Sequence, residues 1–342
     1  MTSNFEDGGK GRDYYATESA GNIISPKQVL AAAEVKVWTA ADFLSSEPYP
    51  MPESADRMMA ELEQVRLEAN RRLAGEGTLE VGGLPDKEAL AGDVIPAATS
   101  GGYNYPAPYT CHEVICPYST YPYITVGRIF FNQNGGTYNA SAVSIGNYAI
   151  WTAGHCIHAG NGRADGWSTN LVFVPAYKDG QAPYGVWNAS YLITRTNWYQ
   201  NGHSSEDMGG AVLRPNSVGR KISEVVGWMG FAWNFSRFQH WTLLGYPSNP
   251  LPGAPPFNGE RMYQNSASYA YSHAVTGVDT LGVGNRMSQG CSGGPWVLGF
   301  GTGNYVNGNN SYFNVNGYEE MFSPYFDNRA KSLKDDLVGG SP

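Results

Sequence analysis

The pattern of apolar and polar residues changes near residue 110. In the first part, apolar residues recur at helical spacing between charged positions: Met58, Leu62, Val65, Ala69 and Leu73. This predicts one amphipathic helix over about residues 54–74, with Ser54 able to cap its start and Gly75 able to end it. Residues 75–109 are rich in Gly, Pro, Ala and Ser. They predict an accessible linker where a protease could cut.

From Tyr121 onward the pattern is one of short strands. Strand-forming runs occupy residues 124–131, 142–145, 148–151 and 171–174, with Gly, Asn and Pro between them. Residues 225–233 predict a further buried strand, and residues 327–337 predict a short terminal helix. Short strands at regular intervals favour an antiparallel sheet, in a barrel or a sandwich.

Composition and charge narrow the class of protein. The chain has 342 residues, enough for two core-forming units or for one large domain with an appendage. Only 15% of residues are charged, while Gly (43) and Tyr (23) are abundant, which suits a turn-rich β protein. The net charge of −8 argues against nucleic-acid and anionic-membrane partners. No apolar run approaches the roughly 18 residues that span a bilayer.

The first seven residues are polar and acidic, which is unlike a signal peptide. Either export information has been removed or the chain is cytoplasmic. The abundance of Tyr, Asn and Gly, together with four Cys, favours removal of a signal. We therefore expect a secreted, extracellular protein that acts as a monomer.

Three segments carry residues suited to acyl transfer. They are the run Ala153-Gly154-His155-Cys156, then Asp207 followed by small and apolar residues, then Gly290-Cys291-Ser292-Gly293-Gly294-Pro295. Acyl transfer needs a nucleophile, a base of near-neutral pKa and a carboxylate that fixes the tautomer of that base. The order is His, Asp, Ser, with intervals of 52 and 85 residues. The chymotrypsin triad has the same order with intervals of about 45 and about 93. Subtilisins and α/β-hydrolases use other orders.

The glycines around the candidate nucleophile fit the same chemistry. The backbone N–H groups of Gly290 and Ser292 must converge on a developing oxyanion, and a side chain at residue 290 would obstruct that approach. His155, Asp207 and Ser292 are therefore the predicted triad, with Gly290 and Ser292 as the oxyanion hole. The adjacent Glu206 is the alternative acid for the triad. The position of Asp207, directly before the small and apolar residues of the motif, favours Asp207.

Residues 121–337 resemble the trypsin/chymotrypsin-like serine peptidases through these three motifs. Gly245-Tyr246-Pro247 and the Asp-x-Gly form of the aspartate segment are closer to the bacterial glutamyl-endopeptidase branch. The resemblance implies an all-β fold of two six-stranded antiparallel barrels with a C-terminal helix. It implies a pro-segment, residues 1–110, before a peptidase domain, residues 111–342.

By the same resemblance, the protein is a secreted serine endopeptidase made as a zymogen. It would act on protein or peptide substrates through an acyl-enzyme, with no metal and no organic cofactor. Its own pro-segment would be an intramolecular inhibitor or chaperone. The N-terminal helix could instead bind a partner. Two other functions stay open: a non-catalytic binding protein on a protease-like fold, and an esterase that uses the same triad.

The resemblance also implies a specificity pocket lined by residues 306–312, with Ser311 donating a hydrogen bond to Asp207. The candidate pocket residues are Arg286, Met287, Gln289, Asn310, Ser311, Tyr312 and Phe313. Trypsin-like enzymes that prefer Lys or Arg have an acid where this chain has Arg286. Glutamyl endopeptidases typically have His where it has Asn310, so a preference for Glu is not fixed.

The four cysteines allow three pairings. For Cys111 and Cys116 a short disulfide ring is expected. A metal site is the less favoured alternative, because no second Cys/His pair at zinc spacing follows and His112, next to Cys111, is poorly placed to share a tetrahedral site. Many members of the family that this chain resembles have a cysteine at the position of Ala140. That cysteine forms a disulfide with the residue equivalent to Cys156. Cys291 stands where trypsin-like enzymes have an Asp. After activation the carboxylate of that Asp pairs with the new N-terminal ammonium group, so this mode of activation is not available here. One disulfide between Cys156 and Cys291 would explain both departures, and two buried free thiols are the alternative.

Overall fold

The computed structural model describes residues 14–17, 36–50, 53–54, 108–249, 256–275, 277–314 and 317–342. Its strands, β1 to β18 in chain order, are Tyr14–Thr17, Glu47–Pro48, Glu53–Ser54, Tyr109–Glu113, Val126–Gln133, Gly136–Gly146, Ala149–Thr152, Thr169–Pro175, Trp187–Arg195, Gly209–Leu213, Gly230–Phe231, His240–Gly245, Tyr263–His273, Thr280–Gly284, Pro295–Leu298, Tyr305–Asn309, Tyr312–Asn314 and Gly317–Ser323. Its helices, α1 to α4, are Ala40–Ser45, Thr196–Asn201, Ile222–Val226 and Asn328–Gly339. The described part is mostly β, as predicted.

Strands β5 to β10 form a closed six-stranded barrel. Their order is β9-β10-β7-β6-β5-β8, and β8 pairs back onto β9. Successive side chains of β5 point to opposite faces, as strand geometry requires. Ile129 and Phe131 enter one hydrophobic cluster, and Phe130 between them enters another. Residues 129–131 are therefore all apolar because both faces of the strand are buried at these positions.

The second half of the chain forms a second ring of antiparallel strands. β12 pairs with β13 and β15, β14 pairs with β13 and β18, and β15 pairs with β16. β17 follows β16 after two residues and pairs with β18, so the chain brings the two ends of this sheet together. This confirms the predicted architecture of two chymotrypsin-like barrels.

The C-terminal helix α4 packs on the first barrel. Asp327 caps its start by accepting a hydrogen bond from the Arg329 N–H group at 2.8 Å. Ala330, Leu333 and Leu337 are fully buried against β7, β9 and β10. The helix predicted over residues 327–337 is therefore confirmed.

The predicted strand over residues 225–233 is wrong. Val225 and Val226 end helix α3, and only Gly230 and Phe231 are extended and paired. The reason is Gly227, whose positive φ of 74° ends the helix and turns the chain. The helix predicted over residues 54–74 lies outside the described residues, apart from Ser54, which ends β3. Among the helices that the structure describes, none is long and apolar enough to cross a membrane.

The predicted disulfides are absent from the structure, because all four cysteines are free. Cys156 lies in a hydrophobic cluster of the first barrel, whereas Cys291 lies in a cluster of the second. Cys111 likewise packs against the second-barrel cluster, and Cys116 packs against a different one. Each predicted pair therefore has its two side chains in separate parts of the core.

Candidate active site

His155 and Asp207 meet through two hydrogen bonds. His155 lies on a 3₁₀ turn that directly follows β7, and both side chains are buried, at 2% and 1% exposure. His155 Nδ1 is 2.8 Å from Asp207 Oδ2, and the His155 backbone N–H donates to Asp207 Oδ1 at 2.7 Å. The carboxylate therefore fixes both the position of the residue and the orientation of its ring.

Asp207 is held by its backbone as well as by its carboxylate. Its φ of −71° and ψ of 63° place it at the centre of an inverse γ-turn, which the Met208 N–H closes by donating to the Glu206 carbonyl at 2.7 Å. The Ser311 hydroxyl donates to Asp207 Oδ2, the contact expected from the sequence. The Asn309 amide donates to the Asp207 carbonyl at 3.3 Å. The acid is thus supported from the second barrel.

The neighbouring acid, Glu206, points into a different environment. Arg195 Nε donates to Glu206 Oε2 at 2.9 Å, and Arg329 on helix α4 donates to Oε1 at 2.5 Å. Both Arg195 and Glu206 are buried, so their charges are compensated mainly by one another. Glu206 therefore links the turn that carries Asp207 to the C-terminal helix, and of these two acids Asp207 is the one bonded to the imidazole.

Ser292 lies on a tight loop that needs glycine at two positions. Gly290 and Gly293 have positive φ values of 93° and 76°. A Cβ atom at Gly293 would lie 1.9 Å from the Thr152 hydroxyl, and one at Gly290 would lie 2.7 Å from the Tyr246 carbonyl. No other residue type would fit this loop without moving the backbone.

The loop is also tied to the first barrel by Ser141. The Ser141 hydroxyl donates to the Gly290 carbonyl at 2.9 Å, and its N–H donates to the Ser292 carbonyl at 2.8 Å. The N–H groups of Cys291 and Gly293 are bonded within the protein, whereas those of Gly290 and Ser292 donate to no other described residue. Two backbone donors beside the candidate nucleophile are therefore open to an acceptor.

The two candidate reacting atoms, His155 Nε2 and Ser292 Oγ, are buried. Within the described part of the chain, neither His155 Nε2 nor Ser292 Oγ has a hydrogen-bond partner. Burial alone would lower the pKa of His155, but the Asp207 carboxylate and Cys156 together outweigh burial and raise the pKa above its ordinary value of 6.5. Burial raises the pKa of the Cys291 thiol well above 9.0, so this neighbour of Ser292 is protonated and weakly nucleophilic near neutral pH.

The residues predicted to form the specificity pocket divide into two groups. Arg286 and Gln289 are half-buried and lie before the Ser292 loop. Asn310 is fully buried, and its amide N–H groups donate to the carbonyls of Leu244 and Cys291, at 3.2 and 3.0 Å. Asn310 therefore supports the loop from below and has no donor left for a substrate.

The other pocket candidates are also engaged inside the protein. The Tyr312 hydroxyl bonds to His273 and to Thr280, at 2.9 and 2.5 Å. Met287 and Phe313 pack in the core of the second barrel. The structure thus brings His155, Asp207 and Ser311 into direct contact, and it places several pocket candidates in the protein interior.

Two residues near the site were missed by the sequence analysis. Ser141 supports the Ser292 loop, but a lone serine in a strand gives no signal of that contact. Tyr49 stacks on His155, with ring centroids 5.1 Å apart and ring planes 24° apart. It precedes His155 by more than a hundred residues, so nothing in the local pattern could have found it. Among the described residues, no cluster of His, Cys, Asp or Glu side chains could hold a metal ion.

Comparison with known proteins finds likeness in solved structures. Protease Anisep from Arthrobacter nicotinovorans is 33% identical, with a TM-score of 0.56, over 63% of this chain and 96% of that one. The thermostable serine protease AL20 from an extremophilic microorganism is 34% identical, with a TM-score of 0.57. The match covers 64% of this chain and 98% of that one. A Glu endopeptidase in complex with MPD is 15% identical, with a TM-score of 0.52, and the match covers 67% of this chain and 96% of that one. This protein shares the fold. No family model and no curated protein sequence matches the chain.

Proposed function

Since this chain belongs to the chymotrypsin-like serine proteases, we propose that it is a secreted serine endopeptidase. It hydrolyses peptide bonds through an acyl-enzyme, with His155, Asp207 and Ser292 as its triad. The observation that carries the proposal is the buried pair of His155 Nδ1 and Asp207 Oδ2, 2.8 Å apart, which leaves His155 Nε2 unbonded.

Acylation begins when Ser292 Oγ attacks the carbonyl carbon of the scissile bond. His155 Nε2 takes the hydroxyl proton, and Asp207 stabilises the imidazolium that forms. The N–H groups of Gly290 and Ser292 donate to the oxyanion of the tetrahedral intermediate, and one such donor is worth roughly 3–4 kcal/mol of barrier. His155 then gives its proton to the leaving amine as the C–N bond breaks, and an ester on Ser292 remains.

Deacylation repeats these steps with water. His155 Nε2 removes a proton from the water molecule that attacks the ester carbonyl, and the same two N–H groups hold the second oxyanion. His155 returns the proton to Ser292 Oγ as the acid product leaves. The preorganised contacts of Asp207 with His155 and Ser311 support both steps, because neither contact has to form during the reaction.

The proposal is tested by covalent labelling with an organophosphonate. The wild-type chain should incorporate one phosphonate, and the Ser292→Ala variant should incorporate none while keeping its circular dichroism spectrum and Tm. A Cys291→Ser variant is the matched control, because it changes the adjacent residue and should still be labelled. Labelling of Ser292→Ala at the wild-type level would refute the role of Ser292.

The proposal includes maturation by removal of an N-terminal pro-segment, which acts as an intramolecular inhibitor or chaperone. The cut is expected between about residues 76 and 122, and the peptidase domain corresponds to residues 111–342. N-terminal sequencing of the form secreted into culture medium tests both cleavage and export. A secreted active enzyme that still begins at residue 1 would contradict this part of the proposal.

A further inference from the structure

We propose that residues 36–50 keep the peptidase latent through two separable contacts. Trp38 and Phe43 anchor the segment on the first barrel, and Tyr49 covers the catalytic imidazole of His155. This inference rests on the proposed function of the site, and it names the residues that regulate it.

The anchor is an aromatic cluster on the outside of the first barrel. Trp38 and Phe43 are only 8% and 5% exposed, and their rings stack with centroids 5.8 Å apart. Phe43 packs on Phe130 of β5 with centroids 4.5 Å apart, and the Trp38 indole N–H donates to the Asn170 carbonyl at 3.0 Å. Two large rings are thus removed from water by this contact, which stabilises the segment on the barrel.

Helix α1 sets which of its side chains face the barrel. Thr39 and Asp42 form a capping box at its start, since each side chain bonds the backbone N–H of the other. Phe43 then points into the barrel surface, whereas its neighbour Leu44 is 66% exposed. The helix therefore offers a contacting and a non-contacting apolar residue side by side.

Tyr49 is the contact that reaches the catalytic residues. Its ring lies on His155 with centroids 5.1 Å apart, and its hydroxyl donates to the Gln133 side chain. Its edge meets the Tyr138 ring, again at 5.1 Å, and its N–H donates to the Asn139 carbonyl at 2.9 Å. Ring, hydroxyl and backbone are all bound, so Tyr49 occupies one defined position over the imidazole.

The short strands before and after Tyr49 pair with different barrels. Before Tyr49, β2 pairs in parallel with β6, where Glu47 lies opposite Tyr138. After it, β3 pairs in parallel with β17, where Glu53 lies opposite Phe313. His155 and Ser292 are 2% and 0% exposed, and the Tyr49 ring is one of the groups that cover the imidazole.

Prolines on both sides of Tyr49 suit this segment to block the site. Pro48 and Pro50 have fixed φ angles and no N–H group. The segment therefore lacks two donors that a peptide substrate would have for pairing in the cleft, and it is stiff where it passes His155. These features make it a poorer substrate than an ordinary extended peptide.

The test is the rate at which Ser292 in the intact, full-length chain reacts with an organophosphonate. Tyr49→Ala should raise this rate by about tenfold or more, since it removes an aromatic contact and its buried area. Phe43→Ala should raise the rate as well, because it weakens the anchor. Leu44→Ala, the matched control on the same helix, should react at the wild-type rate. Mass spectrometry verifies that each chain is uncut, and the Tm verifies that it is folded.

The outcomes separate this inference from the proposed function. If the double variant Tyr49→Ala, Ser292→Ala is still labelled, the assignment of the nucleophile fails. If only chains with Ser292 are labelled but Tyr49→Ala reacts no faster than wild type, the covering role of Tyr49 is overturned. An equal acceleration by Leu44→Ala, or a loss of folding yield with an unchanged rate, would also overturn it.

Discussion

Replacing Asp207 with Asn puts an amide NH₂ group in place of one carboxylate oxygen and reverses two hydrogen bonds, those with His155 Nδ1 and with the Ser311 hydroxyl. Asp207 Oδ1 accepts from the His155 backbone N–H, and Oδ2 accepts from His155 Nδ1 and from the Ser311 hydroxyl. An Asn side chain has only one oxygen, and the backbone N–H cannot stop donating, so the oxygen must face it. The amide NH₂ group then faces Nδ1, which must give up its proton and become an acceptor.

The imidazole would then hold its proton on Nε2, the atom that has to accept the proton of Ser292. In the chymotrypsin triad the corresponding change lowers kcat about 10⁴-fold, and such a factor equals roughly 5.5 kcal/mol of barrier at about 1.36 kcal/mol per tenfold. We expect a loss of the same order here, measured as kcat on a peptide substrate. The pKa of His155, followed by NMR, should fall in Asp207→Asn because the carboxylate that raises it is gone.

The matched control is Glu206→Gln at the adjacent position. Glu206 bonds Arg195 and Arg329 but not the imidazole, so this variant should lose stability and keep kcat within about tenfold. The reasoning would be refuted if Asp207→Asn kept more than a tenth of the activity. It would also be refuted if Glu206→Gln lost more activity than Asp207→Asn.

Three other results are expected. Glu206→Ala should lower the free energy of unfolding in urea by about 3–5 kcal/mol, because it removes the buried partner of Arg195; a loss under about 1 kcal/mol would contradict this ion pair. Denatured protein kept free of reductant should show four alkylatable thiols by mass spectrometry. A smaller number of thiols would show that a disulfide is present and would contradict the structure. A peptide library should show no preference for cleavage after Lys or Arg, because Arg286 stands where an acid would be needed; such a preference would overturn the alignment of the pocket.

The geometry of the candidate site was predictable because its residues lie in short motifs. His155 and Ser292 each stand within a few residues of the glycines that shape their loops, and Gly290 and Gly293 do have positive φ values. The terminal helix was predictable because Asp327 and the apolar spacing that follows it are local signals. The phase of the motif also selected Asp207 over Glu206, and the structure adds the reason, which is the pairing of Glu206 with two arginines.

Other features depend on contacts between distant parts of the chain. Cys156 and Cys291 are next to residues of one site, but their side chains enter the cores of different barrels, so sequence proximity to the triad did not predict a bond. The contact of Tyr49 with His155 follows from strand pairing on both sides of it, which no local pattern encodes. Asn310 looked like a pocket residue by its distance from Ser311, yet its hydrogen bonds turn it inward.

The central claim is that Ser292 forms an ester with the acyl part of the substrate. It is tested by mixing the enzyme with an activated acyl ester, quenching in acid during the burst phase, and locating the acyl group by tandem mass spectrometry. The account predicts a burst whose amplitude equals the concentration of active sites, with the added mass on Ser292. An acyl group on Cys291 or on any other residue, or a turnover that leaves no acylated enzyme under any quench time, would contradict it.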